Sequence, residues 1–124
     1  MGRLLLQDNT YGDNYTSVSD CGHFLKEIYQ SNAGTTDTTL SHTDAMYSLL
    51  KMQERRNKIP ANLPEGVKVA NKTGELENDA GIIYSTAKGI DLVVCFMSQD
   101  LTDSGAAQAS IAQDARLIYG YYNE

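Results

Sequence analysis

Three consecutive residues, Lys72, Thr73 and Gly74, bring together a cation, a hydroxyl and a position without a side chain. An ammonium and a hydroxyl at the end of a strand can hold an anionic substrate, and glycine lets the ligand lie close along the backbone. The composition produces this tripeptide by chance roughly 0.04 times in such a chain. A solvated lysine before a glycine turn is the plain alternative.

A serine nucleophile needs a base within reach, and a lysine one helical turn later can accept its proton. Two pairs have that spacing, Ser48 with Lys51 and Ser85 with Lys88. With nine serines and six lysines, roughly half a match is expected by chance, so the spacing by itself assigns neither. Ser85 falls in a turn between strands, and Ser48 on a helix leading into the Lys72 strand. His23 and His42 form no Ser/His/Asp arrangement, and His23 reads as a helix-surface residue. Cys21 and Cys95 have no metal-ligand spacing. Both read as buried free thiols, with a disulfide as the alternative. No metal or cofactor is expected.

The elements that must position these residues follow from periodicity. Residues 1–15 are rich in Asn, Asp, Gly and Tyr, which favours turns. Ser17 and Asp20 have capping-box spacing, and Val18, Cys21, Phe24, Leu25 and Ile28 predict the inner face of a first helix. Residues 31–40 read as a loop. A second helix starts at Ser41 or Thr43, turns Met46, Leu49, Leu50 and Gln53 inward, and ends before Pro60 and Pro64. Strands are predicted over 67–72, 80–84 and 90–98. From Ser104 onward, Ala107, Ile111, Ala115, Ile118 and Tyr122 predict one stripe of a terminal helix. The order implies an α+β fold, two helices, three antiparallel strands and a C-terminal helix packed on the sheet.

With 124 residues the chain fits one domain. A net charge of -6 excludes an ordinary nucleic-acid binder, which needs a basic face. Arg55, Arg56 and Lys58 are the only basic cluster and read as a solvated helix end. The longest apolar run, 92–97, is too short to span a membrane. Gln7, Asp8 and Asn9 end the Leu4–Leu6 run too early for a signal peptide.

Lys72-Thr73-Gly74-Glu75-Leu76 followed by Asn78-Asp79-Ala80-Gly81-Ile82-Ile83-Tyr84 resembles the KTG segment of class A β-lactamases and penicillin-binding proteins. Upstream, the run from Asn14 to Asp20 resembles the family's S-x-N segment, and Gln53 to Pro64 its approach to the KTG strand. The resemblance extends from about residue 3 to residue 124. It implies a serine hydrolase acting on β-lactams or on D-Ala-D-Ala peptides of peptidoglycan. Ser17 would relay protons, Ser19 would stand where the family usually has Asn, and Lys72 and Thr73 would hold the substrate carboxylate. Gly74 would allow close approach, and the Glu75 N–H would be an oxyanion donor.

The resemblance also implies a C-terminal portion of that fold over residues 1–124, without the N-terminal strands and without the S-x-x-K helix. Between Gln30 and Asp44 the only acid is Asp37, so the family's deacylating glutamate has no counterpart there. The chain alone is therefore expected to be inert. A non-catalytic binding or assembly module is the rival. Two further expectations are a homodimer through the 90–98 strand edge and, by analogy, a parent working outside the cytoplasmic membrane.

Overall fold

A computed structural model describes residues 15–37, 40–86 and 89–124. In chain order the elements are α1 (Val18–Ala33), α2 (Thr43–Lys51), β1 (Val69–Gly74), β2 (Asn78–Ile83), β3 (Leu92–Phe96) and α3 (Ser104–Asn123). The α+β class and the predicted order of elements are both observed. The three strands form an antiparallel sheet in the order β1-β2-β3.

Local chemistry sets the ends of the helices. Ser17 is extended, and its Oγ accepts from the Asp20 N–H at 3.1 Å, so α1 starts where the capping spacing predicts. The helix continues through Ala33, past the predicted loop start at Ser31. It stops only at Gly34, whose left-handed φ of 68° suits glycine. Asp103 caps α3 in the same manner, accepting from Ala106 N–H at 2.9 Å.

Strand alternation divides the sheet into two faces. Val69, Asn71 and Thr73 share one face of β1, and Ala70, Lys72 and Gly74 share the other. The first face packs on α3 through a cluster of Ile59, Val69, Ile83, Val94, Ile111, Ala115 and Tyr119. The second packs on α1 and α2 through Leu25, Ile28, Tyr47, Ala70 and Ile82. Each fully buried isoleucine contributes about 1.5–3 kcal/mol relative to exposure.

Several predicted inner positions are displaced. The buried stripe of α3 is Ile111, Ala112, Ala115, Tyr119 and Asn123, while Tyr122 is exposed. Asn123 takes the inner position by donating its amide to the Tyr119 carbonyl at 3.3 Å. On α1, Val18 and Phe24 are exposed, and on α2 Leu49 is 71% exposed while Tyr47 is buried. Phe24 and Leu49 border a concave surface with no further covering layer among the described residues. Lys58 reverses the expectation of a solvated basic cluster: α2 ends at Lys51, Arg55 and Arg56 are exposed, and Lys58 is buried. Cys21 and Cys95 are free and half-buried, less enclosed than predicted.

Candidate active site

β1 and β2 meet in a hairpin whose last strand pair is Gly74 with Asn78. The loop is Glu75-Leu76-Glu77, and Leu76 and Glu77 both have φ of 57°. Left-handed backbone costs a residue with a Cβ about 1–2 kcal/mol, so neighbouring groups must hold the turn. The Asn78 amide donates to the Glu75 carbonyl at 2.8 Å, and Asn78 Oδ1 accepts from the Ser98 N–H at 2.9 Å. The Ser98 hydroxyl donates to the Leu76 carbonyl at 2.7 Å and lies 3.0 Å from that of Glu77.

Lys58 completes the clamp. Its Nζ donates to the carbonyls of Gly74 and Asn78, each at 3.1 Å, and pairs with Glu77 Oε2 at 2.9 Å. Three acceptors match the three protons of an ammonium. The hydrogen bond from Lys58, helped by one from Gln108, holds the Glu77 carboxyl below the usual range.

Beneath the hairpin lies Asp79, 1% exposed. Its carboxylate accepts from Ile59 N–H at 3.1 Å and from the Asn71 amide at 3.0 Å. Burial pushes its carboxyl above the usual range, while the Asn71 and Ile59 bonds and the Lys58 charge pull the other way. Gly81 makes room for this network, because a Cβ there would lie 2.7 Å from Asn71 Cβ and 2.9 Å from the Ala70 carbonyl oxygen. Sequence reasoning passed over Lys58, Asn71 and Asp79. The sequence carried no sign of their grouping, because the pairing that sets Asp79 across from Thr73 appears only with the hairpin register.

The KTG residues do not share one face. Lys72 is exposed on the α1/α2 side, whereas Thr73 is 5% exposed and turned toward the α3 side. Backbone direction brings them together instead. Tyr84 N–H donates to the Lys68 carbonyl at 2.9 Å, so even-numbered residues of this ladder bond to β2 and odd-numbered ones point away. The Thr73 peptide groups therefore face the outer edge of β1, which no strand covers among the described residues. The Lys72 ammonium bends to the Thr73 carbonyl, placing a cation at that edge.

On the α1/α2 side, Lys72 and Ala80 also border an apolar groove of about 430 Å³, with Phe24, Leu25, Met46 and Leu50 among its walls. Ser17 caps α1 one turn before the groove, and Ser19 is exposed on its first turn. Among the described residues no hydrogen bond joins either serine to Lys72, Thr73, Gly74 or Glu75. The Ser48–Lys51 pair is not assembled either. Ser48 Oγ donates to the Asp44 carbonyl at 2.9 Å, and Lys51 Nζ lies over the rings of Tyr47 and Tyr84 at 5.2 and 5.1 Å. Lys88 lies outside the described residues, and Ser85 Oγ accepts from Gly89 N–H at 3.0 Å.

The profile of the β-lactamase enzyme family matches residues 4–122. The chain belongs to that family. No curated protein matches it significantly. Among solved structures, a variant of the TLA-1 extended-spectrum β-lactamase is 20% identical, with a TM-score of 0.76, over 94% of this chain and 45% of that one. A β-lactamase from Chitinophaga pinensis is 22% identical, with a TM-score of 0.71, over 89% and 43%. PBP-A, as an acyl-enzyme mutant with penicillin G, is 21% identical, with a TM-score of 0.69, over 90% and 41%. The chain thus spans less than half the length of each of these. At such identities the structures show a shared fold, and the family membership rests on the profile.

Proposed function

We propose that residues 1–124 are the substrate-holding C-terminal part of a serine acyl-transfer hydrolase that takes β-lactams or D-Ala-D-Ala peptides. The observation carrying this reading is the outer edge of β1, where the Lys72 cation and the outward Thr73 peptide groups lie together. A substrate carboxylate would pair with Lys72, and an extended acyl chain would run along the strand as an added partner. Gly74 leaves space for it. The Glu75 N–H, two residues beyond Thr73 and of the same parity, would face a developing oxyanion. Thr73 would contribute its hydroxyl only after turning toward the edge, and otherwise its backbone.

The serine that is acylated would come from a segment beyond those described, seated against the apolar groove beside Lys72. Ser17 would then relay a proton and Ser19 would touch the substrate amide, both at the start of α1. The engagement of Ser48 and Lys51 with other partners supports a nucleophile outside α2. A parent outside the cytoplasmic membrane fits peptidoglycan-type substrates. No helix among the described residues is long and apolar enough to cross a membrane. We also propose self-association through β3, whose outer side carries no strand among the described residues; a monodisperse monomer by light scattering at high concentration would exclude it.

The test is titration of isotope-labelled chain with benzylpenicillin. Amide shifts at Thr73, Gly74 and Glu75, lost in Lys72→Ala, are the expected result. Unchanged amides would favour the rival, a non-catalytic binding or assembly module. A fluorescent penicillin should leave the chain unlabelled, and covalent labelling would move the nucleophile to Ser48 or Ser85.

A further inference from the structure

Helix α1 comes so close to β3 at Gly22 that a Cβ on that glycine would touch Cys95 Sγ at 3.8 Å. Cys21 is the adjacent residue. Cys95 pairs across the sheet with Ala80, and Ala80 and Cys21 border the same groove. Both cysteines are free and half-buried, and Cys21 lines the groove, where a small reagent can reach it. The nearest hydroxyl to Cys21, Thr16 Oγ1 at 3.7 Å, is only a weak partner. We propose that Cys21 and Cys95 form a reversible disulfide between α1 and β3 by exchange with a small-molecule disulfide of the glutathione class.

The reaction proceeds in two exchanges. The Cys21 thiolate attacks one sulfur of the reagent, forming a mixed disulfide and expelling one thiolate. Cys95 then loses its proton and attacks the Cys21 sulfur, closing the protein bridge and expelling the second thiolate. Two protein thiols are oxidised with loss of two protons and two electrons, and the reagent is reduced to two thiols. The order follows from the surroundings. Burial, and then the charges of Cys21 and Asp79, push the Cys95 thiol up to about 11, so Cys95 is the poorer first nucleophile. Cys21 is near enough to Cys95 for its charge to contribute to this shift.

The experiment treats the reduced chain of residues 1–124 with oxidised glutathione, traps it with iodoacetamide and records the intact mass without reductant. The expected product is a monomer lighter by two hydrogens and carrying no alkyl group. In Cys95→Ser a glutathione adduct on Cys21 should persist, and Cys21→Ser should never close. Bridging a loop this long should raise Tm on the order of 10 °C in the wild type alone. A wild-type product that remains a mixed disulfide, is alkylated at both cysteines, or links only between copies overturns the proposal. Closure with a fall in Tm also overturns it, because the bridge would then form only by distorting the fold.

Discussion

The two faces of the sheet are built from the same three strands but finished differently. Under α3, Ile59, Ile83 and Ala115 are fully enclosed, and the groove on this side lies at the margin, between Leu92 and Val94 of β3 and Ile118 and Tyr122 of α3. Under α1 and α2, Ile28 and Ala70 are buried, yet Phe24 and Leu49 remain exposed around an apolar groove that Lys72 borders. The centre of the α3 face is a closed core, whereas the α1/α2 face keeps its apolar groove over the middle of the sheet, beside Lys72 and Ala80. Strand parity thus separates a closed core from an open apolar groove, with the KTG hairpin between them.

Truncating one side chain on each face should give the largest contrast. Ile59→Ala should cost about 2–5 kcal/mol of unfolding free energy by urea titration. Leu49→Ala should lie within about 0.5 kcal/mol of wild type. Equal losses would mean that the α1/α2 face is as closed as the other.

Lys58→Met tests the hairpin between the faces. It leaves the Gly74 and Asn78 carbonyls and Glu77 without their shared cation, at a cost of about 1–3 kcal/mol. Faster hydrogen exchange confined to residues 74–78 would mark the turn as the part released. Ser17→Ala should cost about 1 kcal/mol through loss of the cap. A larger loss of penicillin-induced shifts than of stability would assign Ser17 a part in recognition as well.

The smallest effect concerns pH. The folded-state value of Asp79 is raised above the ordinary carboxyl value of 3.8, so between those two values the folded state holds more protons than the unfolded one. Stability contributed by this group is therefore full below 3.8 and declines as pH rises through its folded value. Asp79→Asn should remove that decline from the pH dependence of urea stability. Glu77 acts in the opposite sense: its lowered carboxyl stabilises above 4.5 and loses that contribution as pH falls through its folded value. Glu77→Gln should therefore flatten the acid side.

Much of this architecture was legible because it is written in local periodicity. The cap at Ser17, the α2 start at Thr43 and the hairpin order each follow from neighbours within four residues. The hidden parts depend on distant ones. Nothing near Lys58 in sequence announces that its ammonium will be claimed by Gly74, Glu77 and Asn78. The KTG run was visible, but its division between two faces becomes clear only once the strand register is known. The α3 stripe was misplaced because an asparagine, Asn123, occupies an inner position that hydrophobicity would not assign to it.

Lys58 has a further consequence, in the time domain. Its side chain is 6% exposed, so an amine-reactive reagent meets its nitrogen only when the hairpin clamp opens. Its rate of acylation, set against that of exposed Lys51, would act as a clock for that opening. Slowing of that clock by a ligand would report engagement of the KTG edge even with no covalent chemistry at all.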